Sequence, residues 1–149
     1  MKAILAVNNL GYVGLDGTLP WRNLEDFKHF KKLTMGGTLL VGYNTFQKLP
    51  PLKGRNVVVD TREELFDYLR AKSEDGYIEK FMLNKSKMPL WALGSGETWC
   101  IGGKKTYEKY AHAFTELHVS HIDDNAIGDT MFPDLSNLNP ECVVYNYHL

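Results

Sequence analysis

Short apolar runs separated by polar and amphipathic segments dominate the pattern of this chain. Residues 3–7 are continuously apolar, as in a strand buried on both faces of a sheet, and residues 38–41, 57–59 and 99–101 have the same character. Residues 117–122 alternate between apolar and polar and predict a half-covered strand, and residues 142–147 are a further candidate. The pattern therefore predicts strands spread over the whole chain.

Helical patterns lie between these runs. Residues 23–34 and 104–113 are amphipathic, and the capping box Thr61-Arg62-Glu63-Glu64 predicts a helix that continues to about Lys72. An added segment, residues 78–88, is also predicted to be helical. Strands that alternate with helices predict a single α/β domain over residues 1–149, a three-layer fold with a mostly parallel central sheet and flanking helices. Ligands of such sheets bind beyond the carboxyl ends of the strands.

Composition narrows the classes of function. The chain has 149 residues, with 17 basic against 18 acidic side chains, which argues against nucleic-acid binding through bulk charge. No apolar stretch approaches the roughly 20 residues that span a bilayer, so no membrane partner is expected. Cys100 and Cys142 lie in apolar runs and are predicted to be buried free thiols, with a reducing cytoplasm as the default location. His118 and His121 face opposite sides of a predicted strand, and no metal site is predicted.

One carboxylate lies on the apolar side of the first predicted helix. At about 100° per residue, Asp26 falls between Phe30 and Leu33. An unpaired buried carboxylate must shift its pKa, find a partner or meet a ligand, whereas the first turn of a helix also favours an acid for the sake of the helix dipole alone. Both interpretations stay open on this helix. Trp21, shortly upstream, would be placed to hold a water between the two side chains.

Three strand ends carry residues suited to phosphate. Gly102-Gly103 follows one predicted strand and precedes a helix, so backbone N–H groups could face an anion there, although many such pairs are plain turns. Gly42-Tyr43-Asn44-Thr45 follows a second strand, where helix capping is the commoner role of its Asn and Thr. At a third, Asp60-Thr61-Arg62 would join Lys104 and Lys105 in a basic corner suited to the extra phosphate of a dinucleotide.

Taken in order along nearly the whole chain, these motifs resemble the dihydrofolate reductases. The shared motifs are Ile4-Leu5-Ala6-Val7, Val13-Gly14, Leu19-Pro20-Trp21, Asp26, Phe30, Thr34, Gly42-Tyr43-Asn44-Thr45-Phe46, Pro51-Leu52-Lys53-Gly54-Arg55-Asn56, Thr61-Arg62, Ile101-Gly102-Gly103, Tyr107, Gly128-Asp129-Thr130 and Phe132-Pro133. The ordered set is far more specific than any one piece. The resemblance implies NADPH-dependent reduction of 7,8-dihydrofolate to 5,6,7,8-tetrahydrofolate by hydride transfer, in support of one-carbon and thymidylate metabolism.

The resemblance also implies roles on the substrate side. Asp26 would be the acid that hydrogen-bonds the amino and ring N–H edge of the pterin and raises the basicity of its N5, while Trp21 would hold an ordered water nearby. A water, and not Asp26 itself, would deliver the proton to N5. Arg55 would pair bidentately with the glutamate carboxylate of folate. The remaining pocket positions would be Ile4, Ala6, Phe27, Phe30, Leu49 and Ser120.

On the cofactor side, the resemblance places the pyrophosphate of NADPH near the family's cis Gly-Gly, here Gly102-Gly103. Thr61, Arg62 and Lys105 match positions near the adenosine 2′-phosphate, and residues 13–19 match the mobile loop that closes over the nicotinamide. The full set of implied cofactor positions is Ala6, Val13, Gly14, Leu19, Gly42, Tyr43, Asn44, Thr45, Thr61, Arg62, Ile101, Gly102, Gly103, Lys104, Lys105, Thr106, Tyr107 and Thr130.

The chain also departs from the family pattern. Tyr43 stands where many members have a basic residue, and Pro50 stands where some members have one near the tail of folate. Lys104 stands where bacterial members often have a third glycine. Family members usually end in a long hairpin whose last strand inserts into the sheet. Here we expect a shortened C-terminal hairpin, with residues 142–147 paired directly beside residues 117–122.

Two other functions stay open at this point. One is a reductase of the same fold that acts on a pyrimidine intermediate of flavin synthesis, against which Trp21 and Asp26 speak because they suit a pterin edge. The other is a non-catalytic structural copy, which a turnover assay would distinguish from an enzyme. We expect a monomer whose partners are dihydrofolate and NADPH.

Overall fold

A computed structural model gives the architecture of the chain. It describes residues 1–50, 52, 54–60, 72–74, 77–82 and 97–149, with residues 72–74 and 77–82 described by their backbone alone. The elements in chain order are β1 (Lys2–Asn8), β2 (Tyr12–Gly14), α1 (Leu24–Thr34), β3 (Thr38–Gly42), α2 (Tyr43–Phe46), β4 (Asn56–Asp60), β5 (Lys72–Glu74), β6 (Tyr77–Met82), β7 (Thr98–Cys100), α3 (Lys104–Tyr110) with a 3₁₀ turn (Ala111–Ala113), β8 (Glu116–Ile122), β9 (Thr130–Met131) and β10 (Val143–His148).

Eight of the strands form one sheet in the order β10-β8-β1-β7-β3-β4-β6-β5. Every neighbouring pair runs parallel except β5 and β6, which are antiparallel. The short strands β2 and β9 pair antiparallel in a separate two-stranded sheet. The predicted α/β fold around a mostly parallel sheet is therefore confirmed.

Both faces of the central strands are covered, which explains the continuous apolar runs. Leu40 and Val58 pack with α3 and the chain after it, whereas their neighbours Leu39, Val41 and Val57 face the other way and pack with α1 side chains. All five are fully buried. Because consecutive strand residues point to opposite faces, a strand between two helical layers is apolar at every position. Each such side chain contributes roughly 1.5–3 kcal/mol of transfer free energy relative to exposure.

Helix α1 begins and ends where its sequence indicates. The Asn23 side chain caps it by accepting a 2.9 Å hydrogen bond from the backbone N–H of Asp26, an interaction that typically contributes about 1 kcal/mol. Acidic residues occupy the first turn and Lys31 and Lys32 the last, as the helix dipole favours. The buried residues of this helix are two polar ones, Asp26 and Thr34.

The pairing predicted for the last strand is confirmed. β10 lies parallel to β8 in the register Val143 opposite Glu116 through His148 opposite His121. The prediction that β8 is half-covered is wrong, because its residues 117–120 are all buried. β8 lies inside the sheet between β1 and β10, and its polar residues His118 and Ser120 find partners on the α1 side instead of solvent.

Two sequence predictions fall in the middle of the chain. The helix expected over residues 78–88 is wrong at residues 78–82, which belong to β6 and pair with β4. The helix expected from Thr61 lies outside the described residues, except at its expected end, where Lys72 begins β5. The helix predicted over residues 104–113 is confirmed as α3 with its 3₁₀ turn. No helix among the described residues is long and apolar enough to cross a membrane.

Candidate active site

The carboxyl ends of the central strands bring the predicted motifs to one edge of the sheet. Ala6 on β1 lies opposite Ser120 on β8, so these two pocket residues are register partners. On the other side of β1, the backbone N–H of Gly42, at the end of β3, donates a 2.7 Å hydrogen bond to the carbonyl of Gly102, just after β7. Parallel strands end at a common edge, which is where such sheets bind ligands.

Asp26 is buried at this edge, with 7% of its surface exposed. Burial raises the pKa of its carboxyl, while the Ser120 hydroxyl and the nearby His29 act in the opposite direction. Trp21 is also buried, and its indole Nε1 has no hydrogen-bond partner among the described residues. A buried N–H without a partner costs free energy, so this donor is suited to a ligand or an ordered water.

The helix that buries Asp26 exposes apolar side chains beside it. Leu24 is 60% exposed and Phe27 is 42% exposed, the reverse of what an amphipathic helix on a closed core would show. Ile4 is buried in the apolar cluster behind, against which Phe30 and Leu49 pack while partly open to solvent. An apolar surface with a single buried acid is suited to a flat ring that carries N–H donors on one edge.

Arg55 lies near the other end of α1. Its guanidinium is buried, stands 5.7 Å over the ring of Phe30 and has Nη1 donating to the Thr34 hydroxyl at 3.2 Å. Burial lowers the pKa of Arg55 from its ordinary value, which still leaves the group cationic. A guanidinium held by packing in this way is prepared for a carboxylate that meets both its nitrogens.

Two glycines allow the ends of β3 and β7 to touch. A Cβ on Gly42 would lie 2.6 Å from Thr106 Oγ1, and one on Gly103 would lie 2.7 Å from Thr45 Oγ1. The Gly102–Gly103 peptide bond is cis, as the resemblance implied. The first internal backbone bond of α3 runs from Tyr107 N–H to the Gly103 carbonyl. The N–H groups before it have no place in the helix ladder and are suited to an anion.

We call Gly42, Gly102 and Gly103 the glycine cradle. The other predicted cofactor residues around it differ in exposure. Tyr43 and Asn44 on α2 and Lys104 and Lys105 on α3 are exposed, and Ile101 is partly buried between the cradle and β7. Two cations and two polar side chains therefore border the glycine cradle. Thr61 and Arg62 lie outside the described residues, so their place in the basic corner remains a prediction.

Tyr107 lies beneath the cradle instead of lining it. Its ring is the nearest neighbour of a Cβ built on Gly102, at 3.1 Å. Its hydroxyl donates a 2.6 Å hydrogen bond to the Ile4 carbonyl, and burial raises its pKa well above the ordinary range. The structure thus places Tyr107 as the support that joins the cofactor motif to β1.

Residues 13–19 comprise the end of β2 and the tight turn after it, in which Leu15 and Thr18 form an antiparallel bridge. Gly14 lies against Thr130, and a Cβ on Gly17 would lie 3.0 Å from the Lys48 side chain. The Asp129 carboxylate accepts a 2.9 Å hydrogen bond from Asp16 N–H. Val13 and Leu19 are partly buried at the two ends of this loop. The predicted loop residues are therefore next to the sheet edge that carries the other motifs.

Several residues of this region have no place in the sequence predictions. Asn8 is buried at the end of β1, where its Nδ2 donates to Ala126 O at 2.7 Å and its Oδ1 accepts from Tyr12 N–H at 3.0 Å. A polar residue directly after an apolar strand is a signal that could have found it. His29 and Tyr147 carry no such local signal, because they meet only through the fold, with their rings 4.1 Å apart.

In the part of the chain that the structure describes, no group of three or more His, Cys, Asp or Glu side chains is placed to hold a metal ion. Cys100 is buried as predicted, whereas Cys142 is only partly buried. The opposite orientation predicted for His118 and His121 is confirmed, since His118 contacts Trp99 and Tyr147 while His121 contacts Asn146.

Comparison with known proteins gives one consistent family. The family profile described as "Dihydrofolate reductase" matches residues 1–147. The dihydrofolate reductase of Mycobacterium tuberculosis is 35% identical over 133 residues, which cover 84% of this chain and 74% of that protein. Dihydrofolate reductase type 8 of Escherichia coli is 32% identical over 143 residues, which cover 93% of this chain and 82% of that protein.

A solved structure agrees with these sequence matches. Dihydrofolate reductase from Enterococcus faecalis, complexed with NADP(H) and RAB-propyl, superposes with a TM-score of 0.72 at 29% sequence identity. The match covers 91% of this chain and 77% of that one. The fold is therefore shared with a protein of the same description.

Proposed function

The chain belongs to the dihydrofolate reductase family, and from this premise we propose how its own residues carry out the reaction. The protein reduces 7,8-dihydrofolate to 5,6,7,8-tetrahydrofolate with NADPH. The observation that carries the proposal is Asp26, one buried carboxylate beside exposed apolar side chains of its own helix. A non-catalytic copy would have no need of a buried ionisable group there.

Asp26 binds the substrate edge. Its carboxylate accepts hydrogen bonds from the amino group and ring N–H of the pterin, which offsets the cost of burying the charge. Held there, it raises the basicity of the ring nitrogen N5. Trp21 contributes its unpartnered indole N–H to a water at the pocket, and a water supplies the proton that N5 takes up.

The walls orient the ring and exclude bulk water. The pterin and the nicotinamide would be lined by Ile4, Ala6, Phe27, Phe30, Leu49 and Ser120. Arg55 would pair with the glutamate carboxylate of folate, and its contacts with Thr34 and Phe30 fix the direction of its guanidinium. Positioning of this kind supplies a large part of the rate of a reaction between two bound partners.

The cradle fits a dinucleotide. Gly42 and Gly103 each leave room that a Cβ would fill, and the N–H groups at the start of α3 are outside its helix ladder. NADPH supplies the hydride when bound. The pyrophosphate would be held by Gly102, Gly103, Thr45 and Asn44. The 2′-phosphate would be held by Lys105, Thr61 and Arg62.

The test is turnover of dihydrofolate, followed as the loss of NADPH absorbance, in wild type and Asp26→Asn. We expect a loss of turnover of about 100-fold or more in the variant, with NADPH affinity retained. Glu25→Gln is the matched control, because Glu25 precedes Asp26 on the same helix and is exposed. Wild-type protein that binds NADPH but does not turn over would indicate another substrate or a non-catalytic copy.

The remaining partners follow from the same site. The residues proposed to bind dihydrofolate and NADPH all belong to one chain, and none is assigned to a second copy. We therefore propose a monomer. A near-neutral charge balance and two free cysteines support work in the cytoplasm, without nucleic acid or membrane. Sedimentation of the purified protein would test the monomer.

A further inference from the structure

Asn8 ends β1 at the sheet edge that carries the site, and its side chain is buried. Its Oδ1 accepts hydrogen bonds from the backbone N–H groups of Leu10 at 3.1 Å and Tyr12 at 3.0 Å. Its Nδ2 donates to the Ala126 carbonyl at 2.7 Å and to Asp124 Oδ2 at 3.4 Å. One buried amide therefore bonds to two segments that lie far apart in the chain.

The acceptor side of Asn8 sets the start of β2. Tyr12 is the first residue of β2, and β2 continues into the tight turn of residues 15–18. The N–H of Gly11 also bonds to Asn8, by donating to its backbone carbonyl at 3.1 Å. Because three consecutive N–H groups of residues 10–12 bond to Asn8, this residue fixes the direction in which the chain leaves β1 and enters β2.

The donor side of Asn8 holds the segment of residues 123–129, which follows β8. Further along this segment, the Asp129 N–H donates to the Gly14 carbonyl at 2.9 Å. The Asp129 carboxylate also accepts a 2.9 Å hydrogen bond from the Asp16 N–H, within the same tight turn. One segment fastened by Asn8 therefore leads into the turn, and the other bonds to it.

The turn of residues 15–18 borders the site on its cofactor side. A Cβ built on Gly17 would lie 3.0 Å from the side chain of Lys48, which follows α2. Helix α2 itself begins directly after Gly42 of the glycine cradle. A displacement of about 1 Å in an element that positions bound reactants can lower a rate by about 100-fold. A residue that fixes this turn can therefore act on the reaction without touching the substrate or the cofactor.

We propose that Asn8 is a positioning residue for the reduction, because its buried amide fixes both segments that hold the turn of residues 15–18 beside the site. The inference rests on the proposed function, since it needs NADPH bound at the glycine cradle. An amide is suited to this task because one planar group offers a donor to the Ala126 carbonyl and an acceptor to two N–H groups. Removal of the side chain takes a partner from each of these backbone groups and loosens both segments.

The first experiment measures the rate of hydride transfer in a single turnover and the Kd of dihydrofolate, in wild type and Asn8→Ala. We expect the rate to fall about tenfold while the Kd stays within about twofold, because Asp26 and Arg55 make no contact with Asn8. Asn9→Ala is the matched control. Asn9 is exposed, and its side chain bonds to the same segment of residues 123–129, so we expect the wild-type rate there.

A merely structural role gives a different result. It would lower the unfolding free energy of Asn8→Ala but leave hydride transfer in the folded protein at the wild-type rate. That outcome, or an equal loss of rate in Asn9→Ala, would overturn the proposal.

Asn8→Asp is a milder variant for the case that Asn8→Ala fails to fold. It keeps the acceptor for the N–H groups of Leu10 and Tyr12, loses the donor and places a second carboxylate beside Asp124. We expect slower hydride transfer, and we expect Asp124→Asn in the same chain to recover part of the loss by removing the repulsion. A wild-type rate in Asn8→Asp would overturn the proposal, since the donor would then be dispensable.

The second experiment needs no turnover. Hydrogen exchange of backbone amides is followed by NMR in wild type and Asn8→Asp, in the absence of ligands. We expect the amides of Asp16 and Asp129 to exchange about tenfold faster in the variant, while the amides of β3 and β4 keep their rates. Unchanged exchange at Asp16 and Asp129 would overturn the inference whatever the turnover. The proposed function is judged separately, by turnover of the wild type.

Discussion

The hydroxyl of Tyr107 donates a 2.6 Å hydrogen bond to the backbone carbonyl of Ile4, a residue 103 positions earlier in the chain. Both groups are buried. The bond ties α3, which follows the glycine cradle, to β1, which carries the pocket residues Ile4 and Ala6. This bond therefore adds a side-chain link to the pairing of β1 with β7 that already joins the two halves of the site.

Removing that hydroxyl should destabilise the protein. Tyr107→Phe leaves the Ile4 carbonyl buried without this partner, which costs about 1–3 kcal/mol of unfolding free energy. Urea unfolding of wild type and variant measures the difference. Tyr43→Phe is the matched control, because Tyr43 is 45% exposed. Equal unfolding midpoints for wild type and Tyr107→Phe would show that the bond contributes little.

Asp26 should lower stability at neutral pH. Burial raises its folded-state pKa above the ordinary value of 3.8. A carboxyl whose pKa is higher in the folded than in the unfolded state stabilises the fold while it is protonated, at a pH below its pKa in the unfolded chain. That stabilisation is lost as the pH rises through its pKa in the folded state. Asp26→Asn should therefore raise the unfolding free energy at neutral pH while it removes turnover.

The gain in unfolding free energy from Asp26→Asn should shrink at acid pH, because the wild-type carboxyl is itself protonated there. Urea unfolding at neutral and at acid pH measures both parts of the prediction. Glu25→Gln on the exposed side of α1 should show no comparable pH-dependent gain. A neutral-pH loss of stability in Asp26→Asn would contradict the argument.

The contact between the two strand ends should not tolerate a methyl group. In Gly42→Ala the new Cβ would lie 2.6 Å from Oγ1 of the buried Thr106. We expect a loss of about 1–3 kcal/mol in stability and weaker NADPH binding, measured by unfolding and by cofactor fluorescence. Thr106→Ala in the same chain removes the clashing oxygen and should recover part of both losses, by about 0.5–3 kcal/mol of coupling in stability. If the effects of Gly42→Ala and Thr106→Ala are strictly additive, the backbone, and not the Thr106 hydroxyl, moves to relieve the clash.

The two cysteines should differ in reactivity. Cys100 is fully buried, and burial raises the pKa of its thiol to about 12. Its thiolate fraction near pH 8 is then on the order of one in ten thousand. In the folded protein, iodoacetamide should modify the partly buried Cys142 first and Cys100 far more slowly. Mass spectrometry of the modified chain gives both rates, and urea should equalise them. Equal rates in the folded state would contradict the prediction.

The sequence by itself determined the elements whose signals are local. The β1, β3, β4 and β7 strands were predictable because strands between two helical layers are apolar at every position. The start of α1 was predictable because Asn23 and the acidic first turn act within a few residues of each other. The ordered motifs also gave the family and therefore the reaction.

Only the tertiary structure decided how distant parts of the chain meet. β8 alternates in sequence, yet its residues 117–120 are all buried. β10 pairs along its outer edge, and the polar His118 and Ser120 find partners on other elements. The pairing of residues 78–82 with β4 overrode an expected helix. The contact of His29 with Tyr147 joins positions far apart in the chain. Such contacts depend on register and packing, for which a local pattern of polar and apolar residues carries no information.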